Sequence, residues 1–288
     1  MLIDRVRGIP YQDFLRLYVL PRKPVLIEGA IDHWQARQWT PENLAERLYQ
    51  TPIRFRSEQG NIEGLCGPLI ERVLSGQEPG LYLRNIDLSR DLPQLIPDVT
   101  PNLNYARTDW RSTRLLPHHW LVRPGLQELF IGGKGTKFPV LHVDYWGMDA
   151  FLSQIYGEKE LILFGPDQSP YLYQNQKNPL LSDINHVLEP DRERFPLFGN
   201  ANPIKLIMKP GDTVYNPNGW WHTTQTNELS ITIIQAVWNR ANWPILIGEL
   251  KRTARDRSWI QTAVMIQYLH LLKPWLLLRE KWHEHLLQ

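Results

Sequence analysis

The chain has 288 residues, with 32 Lys and Arg against 30 Asp and Glu and a formal net charge of +2. That length suits one large domain or two small ones, and so balanced a charge gives no pull toward nucleic acid or anionic membrane. The single cysteine, Cys66, excludes an internal disulfide framework and a cysteine-based zinc site, and it fits a reducing, cytoplasmic setting.

In chain order, MLIDRVRGIPYQDF lacks the apolar run of a secretory signal. YQDFLRLYVL (11–20) spaces its apolar residues as a helix does and stops at Pro21, and PVLIEG (24–29) reads as a short buried strand. TPENLAERLYQ (40–50) opens with Thr40, Pro41 and Glu42, a capped helix start with proline at the first helical position. PIRFRSE (52–58) alternates as a strand, GPLIERVLSG (67–76) reads as a helix and GLYLRNID (80–87) as a strand. DLPQLIPDVTPN (91–102) is punctuated by prolines and is expected to be irregular.

From about residue 128 the pattern changes to short β-type runs. ELFIGG, FPVLHVDYW, KELILFG, PIKLIMKPGD, TVYNP, WWHTTQT and LSITIIQAVW are separated by Gly, Pro, Asn and Asp clusters, which argues for a sandwich, jelly roll or barrel. Residues 168–200 form a polar, proline-containing connection long enough to suggest a functional loop. After Trp238 the pattern returns to helices: NWPILIGELKRTARDR, SWIQTAVMIQYLHLLK and a last segment from Trp275 to Leu287. No run of about 18 apolar residues suggests a membrane span.

If LHVDYWGMDAF (141–151) is a strand, Val140, His142 and Asp144 share one face. An imidazole and a carboxylate on a packed face are either a satisfied structural pair or the walls of a cation site. A third ligand should come from another strand facing the same cavity. His222 in PGDTVYNPNGWWHTT is the best candidate, on the face shared with Trp220 and Thr224. Two His and one carboxylate leave the opposite side of a metal open, as non-haem Fe(II) chemistry requires. In GEKELILF, alternation puts Lys159 with Leu161 and Leu163. A lysine there either snorkels from a strand edge or pairs with the distal carboxylate of an organic acid held by the metal. His118-His119 reads as exposed loop, and His283-Glu284-His285 as a helical pair that does not share a face. KRTARDR (251–257) reads as a solvated helix face.

HVDYWGMDAFLSQIYGEKELILFGPDQ, ERFP and KPGDTVYNPNGWWHTTQT together resemble the cupin-like Jumonji-C hydroxylases, above all the branch of the asparaginyl hydroxylase that inhibits hypoxia-inducible factor and its bacterial cupin-like relatives. The likeness reaches PVLIEGAIDHW and LYLRNIDL, so it covers most of residues 10–240. It implies a mainly β fold: a double-stranded β-helix (jelly roll, cupin) core, with an N-terminal α/β elaboration and C-terminal helices. The catalytic domain would span 1–240, with core strands from about 80 to 240, and 241–288 would be a helical extension and candidate dimerisation element.

The resemblance also implies Fe(II), 2-oxoglutarate and O2. His142, Asp144 and His222 would be the iron ligands, Lys159 would grip the C5 carboxylate of 2-oxoglutarate and Tyr82 would assist it. Pro139 stands where the family often has Thr or Ser. Ala150 and Ala236 stand where it has Asn, the second Asn being otherwise displaced to Gln235. Trp146 and Asp149 lie in an apparent insertion beside the ligands and, with Trp220 and Trp238, are expected on the substrate side. The expected activity is hydroxylation of a C–H bond in a peptide or protein side chain, in a homodimer. A small metabolite, an RNA nucleoside or a catalytically silent metal-binding cupin are the alternatives.

Overall fold

The structure is a computed structural model and describes residues 3–57, 60–78, 80–116, 127–185, 187–253 and 258–285. His118, His119 and residues 254–257 of the KRTARDR run lie outside the described residues, as do the side chains at 283 and 285.

The N-terminal part comprises β1 (Asp4–Arg7), α1 (Tyr11–Phe14) continuing into a π-helical turn at Leu15–Val19, β2 (Val25–Glu28), α2 (Pro41–Arg47), β3 (Pro52–Ser57), β4 (Gly60–Leu65), α3 (Cys66–Ser75), β5 (Tyr82–Asp87) and α4 (Leu88–Asp91). Thr40 caps α2 by accepting a bond from the Asn43 N–H at 3.2 Å, with Pro41 at the first helical position. The remainder comprises β6 (Gln127–Gly132), β7 (Asp149–Tyr156), β8 (Lys159–Phe164), β9 (Ile204–Met208), β10 (Asp212–Asn216), β11 (Trp221–Thr226), β12 (Ser230–Val237), α5 (Trp243–Thr253) and α6 (Trp259–His285).

A seven-stranded sheet runs β1-β2-β10-β7-β12-β6-β5, and a three-stranded sheet runs β11-β8-β9. Strand alternation sorts the apolar side chains into two layers. Leu26, Leu152 and Val214 of the large sheet meet Leu161, Leu163 and Leu206 of the small one and fill the space between the sheets. Leu129, Ile131, Phe151, Ile231 and Ile233 face the other way and pack against Phe14, Trp34, Leu44 and Ile70 of the N-terminal elements. This is a jelly-roll core with flanking helices, as the family resemblance implied, and one of the three architectures the strand pattern left open.

Three local readings of the sequence need correction. The FPVLHVDYW stretch is not a regular strand. It contributes only isolated bridges, His142 to His222 and to Leu181, before a 3-10 turn at Tyr145–Gly147. Trp146 (φ 61°) and Gly147 (φ 66°) are left-handed and end the extended run. The regular strand, β7, begins only at Asp149. Seven of its eight residues are buried because both faces are covered, so it shows no alternation to read. Finally, α6 is one helix of 27 residues that passes through Pro274, rather than two segments.

Residues 166–185 and 187–200 fold largely as 3-10 turns and bridges against the core. Leu141 and Val143 exchange backbone bonds of 2.9 Å with Ser182 and Leu180. The long connection therefore extends the small sheet past His142. The C-terminal helices share a core with the sheet end: Leu246, Leu250, Leu269, Leu272 and Leu276 pack with Trp110, Met148, Trp238 and Trp243. No helix among the described residues is long and apolar enough to cross a membrane.

The β7–β8 turn has one irreplaceable residue. Gly157 has φ 66°, and a Cβ there would lie 1.9 Å from the Leu229 carbonyl oxygen. Gly157→Ala is expected to cost about 3 kcal/mol, read as a lowered denaturant midpoint. An unchanged midpoint would contradict this packing.

Candidate metal centre

The two segments that carry the histidines are paired backbone to backbone. The His142 N–H donates to the His222 carbonyl at 3.1 Å, and the His222 N–H to the His142 carbonyl at 2.8 Å. Residues opposed in this way send their side chains to one face, so the imidazoles meet with ring centroids 4.2 Å apart. Asp144, two residues on, returns to the same side. Its Oδ1 lies 3.8 Å from Nε2 of each histidine, and one donor atom from each of the three residues falls within 4.8 Å of the others. Metal–ligand bonds of about 2.1 Å need only a modest inward movement of these side chains.

The surroundings fix which atoms face inward. His142 Nδ1 lies 3.3 Å from the Val140 carbonyl, and His222 Nδ1 lies 3.2 Å from the Trp220 carbonyl. Each carbonyl favours the proton on Nδ1, leaving the Nε2 lone pair for the centre. The Asn216 amide nitrogen, on β10, is also 3.2 Å from His222 Nδ1. Burial, and the neighbouring His222, hold the His142 imidazole well below its usual range and hence neutral. Burial raises the Asp144 carboxyl, with His222 and Asn216 opposing it. Asp144 Oδ2 is buried without a hydrogen-bond donor among the described residues. An acceptor left so is costly unless a cation takes it. Two imidazole Nε2 atoms and an under-satisfied carboxylate are the donor set of a facial triad, so these residues fit a divalent ion. Asp144 keeps 24% side-chain exposure, so the centre opens to solvent on one side.

Deeper between the sheets, Lys159 is 1% exposed. Its Nζ donates to Thr232 Oγ1 at 2.5 Å and to the Tyr82 hydroxyl at 3.3 Å. The Thr232 hydroxyl in turn donates to Gln154 Oε1 at 2.9 Å, so its lone pairs face the ammonium. Gln154 is held by its own amide bonds to the carbonyls of Tyr156 and Gly157 and to Ser230. Gly132, opposite Tyr82 on β6, leaves room for that ring, since a Cβ would lie 3.1 Å from it. No carboxylate pairs with Lys159 among the described residues, and burial pushes its ammonium down to about 7. The lysine does not snorkel. It is held inside by Thr232 and Tyr82.

Other expected site residues are placed differently. Asp149 does not face the substrate side: it is 2% exposed, and both its oxygens are bonded within the protein. Trp238 is also buried, packed with Trp110 and Trp243, and its indole N–H donates to the Trp146 carbonyl at 2.9 Å. Trp220 packs against the layer between the sheets and donates to the Arg22 carbonyl. Trp146 stays partly exposed, two residues from Asp144 in the chain. Gln235 is not a displaced site residue. It lies opposite Phe151, on the face turned away from the centre, whereas Ala236 and Ala150 oppose each other on the inner face. Asn216, opposite Ala150, supplies the nearby amide from β10. Pro139 brings no hydroxyl, and the hydroxyls come from Thr232 and Tyr82 instead.

Thr232, Gln154, Asn216 and Asn218 were not legible as site residues. The inward alternation of SITIIQAV was the available signal for Thr232. Phe138 stacks on His142 (4.7 Å, 23°), and the Arg84 guanidinium lies 5.3 Å over the Phe138 ring, forming a rim at the mouth.

Residues 11–242 match the family described as Cupin-like domain. The chain is 28% identical over 268 residues to the arginine-specific demethylase JMJ22 of Arabidopsis thaliana, covering 87% of this chain and 49% of that protein. It is 26% identical over 284 residues to the 2-oxoglutarate and iron-dependent oxygenase JMJD4 of Gallus gallus, covering 88% and 65%. It is 26% identical over 231 residues to the lysine-specific demethylase 8 of Xenopus tropicalis, covering 75% and 48%. The chain thus spans about half to two-thirds of the length of these relatives.

Proposed function

The chain belongs to the cupin-like, Jumonji-C-type family, and on that premise we propose that it is an Fe(II)- and 2-oxoglutarate-dependent oxygenase acting on a C–H bond of a peptide or protein side chain. The observation that carries the reading is the pairing of an open two-His, one-carboxylate centre with a buried lysine that has no carboxylate partner among the described residues. His142, Asp144 and His222 hold the iron. Iron with 2-oxoglutarate supplies the oxidation: substrate C–H, O2 and 2-oxoglutarate become C–OH, CO2 and succinate.

This chain's residues do the rest. Thr226 opposes Lys159 and His222 opposes Leu163, so four strand steps, about 14 Å of backbone, separate lysine and histidine. That span suits a five-carbon diacid with one end at the metal and the other on Lys159, Tyr82 and Thr232. The neutral hydroxyls orient the ammonium without quenching its charge. The inner faces of β8 and β12 exclude water from behind the diacid, and Trp146 and the Arg84–Phe138 rim border the side left for substrate.

The protein-substrate reading draws support from relatives named as arginine-specific and lysine-specific demethylases. Hydroxylation and demethylation share the same C–H step when the carbon is an N-methyl group. Mass spectrometry of a peptide substrate separates them: a retained oxygen marks hydroxylation, and loss of a methylene unit with formaldehyde marks demethylation. Succinate formed with neither product, from peptide pools, metabolites or RNA, would contradict the assignment to peptides. A folded, metal-loaded protein that never consumes 2-oxoglutarate would be the silent cupin.

A homodimer is part of this proposal. On α6, Ile260, Val264, Tyr268, Leu271, Trp275, Leu278 and Trp282 recur at three- and four-residue spacing and are all exposed, beside the stripe of the buried Met265, Leu269, Leu272 and Leu276. A stripe of that spacing along a helix of about 40 Å is self-complementary to a second copy. Light scattering is expected to give a dimer at micromolar concentration, and L271D with L278D a folded monomer. A monomeric wild type would contradict the dimer.

A further inference from the structure

We propose that Asp149 is a positioning residue: through Asn218 it fixes where the Asp144 carboxylate stands. The inference rests on the reading of His142, Asp144 and His222 as a metal centre.

The connections are short and specific. Asp149 Oδ1 accepts the Asn218 backbone N–H at 2.8 Å. Its Oδ2 accepts the Tyr215 hydroxyl at 2.7 Å and the Asn239 side-chain amide at 2.6 Å. Asn218 then reaches forward, its own amide donating to the Asp144 carbonyl at 3.0 Å. One buried carboxylate therefore ties together β10, the turn before His222, the chain after β12 and the segment bearing Asp144. The two segments that carry the triad are also paired directly, at His142–His222 and at Lys137–Gln225.

The chemistry requires a carboxylate at this point. All three partners approach Asp149 as donors, and an ionised carboxylate is acceptor-only. Asparagine would turn an NH2 group toward one of these donors and leave it without a partner. The Asp144 backbone needs this support because Trp146 and Gly147, two and three residues after it, are both left-handed. From Asp144 onward the segment is a turn, beyond the bridges that hold residues 141–143 to His222 and to residues 180–182. The Asn218 amide holds the Asp144 carbonyl past the last of those bridges, and Asp149 holds Asn218.

Two variants test this with Co(II) as the probe, in the full chain and without co-substrate. Asp149→Asn removes the hub, and Asn218→Ala removes only the amide that holds Asp144. Both are expected to weaken Co(II) binding by about 10- to 100-fold, as loss of a group that orients a ligand does. The visible Co(II) spectrum of each is expected to change shape at saturation. A control, Ile70→Val in the distant N-terminal core, should lower thermal stability yet keep the wild-type spectrum and affinity. If Asp149→Asn does not fold, Asn218→Ala carries the test. Asn218→Ala with wild-type affinity and spectrum overturns the inference and leaves the metal centre standing. Wild-type protein that binds no Co(II) overturns the metal centre, and the inference with it.

Discussion

Lys159→Met is expected to weaken 2-oxoglutarate binding by about 100-fold or more and, at the same time, to make the protein without 2-oxoglutarate more stable. Removing one partner of a buried charge pair costs about 3–5 kcal/mol, which sets the loss of affinity. The gain in stability has the opposite origin. With no carboxylate beside it among the described residues, the ammonium is bonded only to Thr232 and Tyr82. Replacing a buried charge by an apolar side chain of similar volume often gains about 1–4 kcal/mol.

The pH dependence has a definite sign. The folded value, about 7, lies below the unfolded value of about 10.4. The penalty is therefore absent above the unfolded value, grows as pH falls through the window between the two, and is complete below about 7. Wild type minus Lys159→Met should lose stability across that window as pH falls. A carboxylate on Lys159 restores its charge, so 2-oxoglutarate affinity should fall by up to about tenfold per pH unit above 7. Calorimetric titration and thermal melts of both proteins check these points. A variant that is less stable and binds 2-oxoglutarate normally would show that Lys159 serves packing alone.

Asp144→Ala is expected to reduce Mn(II) or Fe(II) affinity by more than about 100-fold, beyond the loss expected for groups that only orient ligands, and to abolish succinate formation. Asp144 Oδ1, 3.8 Å from both Nε2 atoms, is the only anionic donor of the cluster. The metal-free protein should be no less stable than wild type, because the removed carboxylate has an unsatisfied buried oxygen. Calorimetry with Mn(II) and thermal melts with and without metal separate the two effects. Unchanged metal affinity, or a large loss of metal-free stability, would make Asp144 a structural carboxylate.

How much of this was legible depended on whether a residue's partners are close in sequence or regular in pattern. His142, Asp144, His222 and Lys159 could be singled out because polar groups at inward strand positions violate alternation, and the structure brings them to the space between the sheets. The local conformation behind them was misread. The segment 141–147 resembles a strand in composition, but its left-handed Trp146 and Gly147 make it a turn held by long-range bonds that no local signal encodes. β7 was invisible as a strand for the converse reason, since burial on both faces removes the period of two. Asp149 was assigned to the substrate side because it is near Asp144 in the chain, but its partners Tyr215, Asn218 and Asn239 are 66, 69 and 90 residues away. The tryptophans misled similarly: Trp220 and Trp238 hydrogen-bond backbone carbonyls in packed surroundings, and an aromatic residue in sequence does not say which side of a sheet it fills.

The central claim is that three side chains and one buried lysine hold a single iron–diacid unit. It is tested most directly by anaerobic titration of the wild-type chain with Fe(II) and 2-oxoglutarate, followed in the visible. The account predicts a weak charge-transfer absorption that appears only when both are present and saturates at one equivalent of each. It should be lost in Asp144→Ala and require far more 2-oxoglutarate in Lys159→Met. A folded wild-type protein that takes up Fe(II) but gives no such absorption at any 2-oxoglutarate concentration would contradict it.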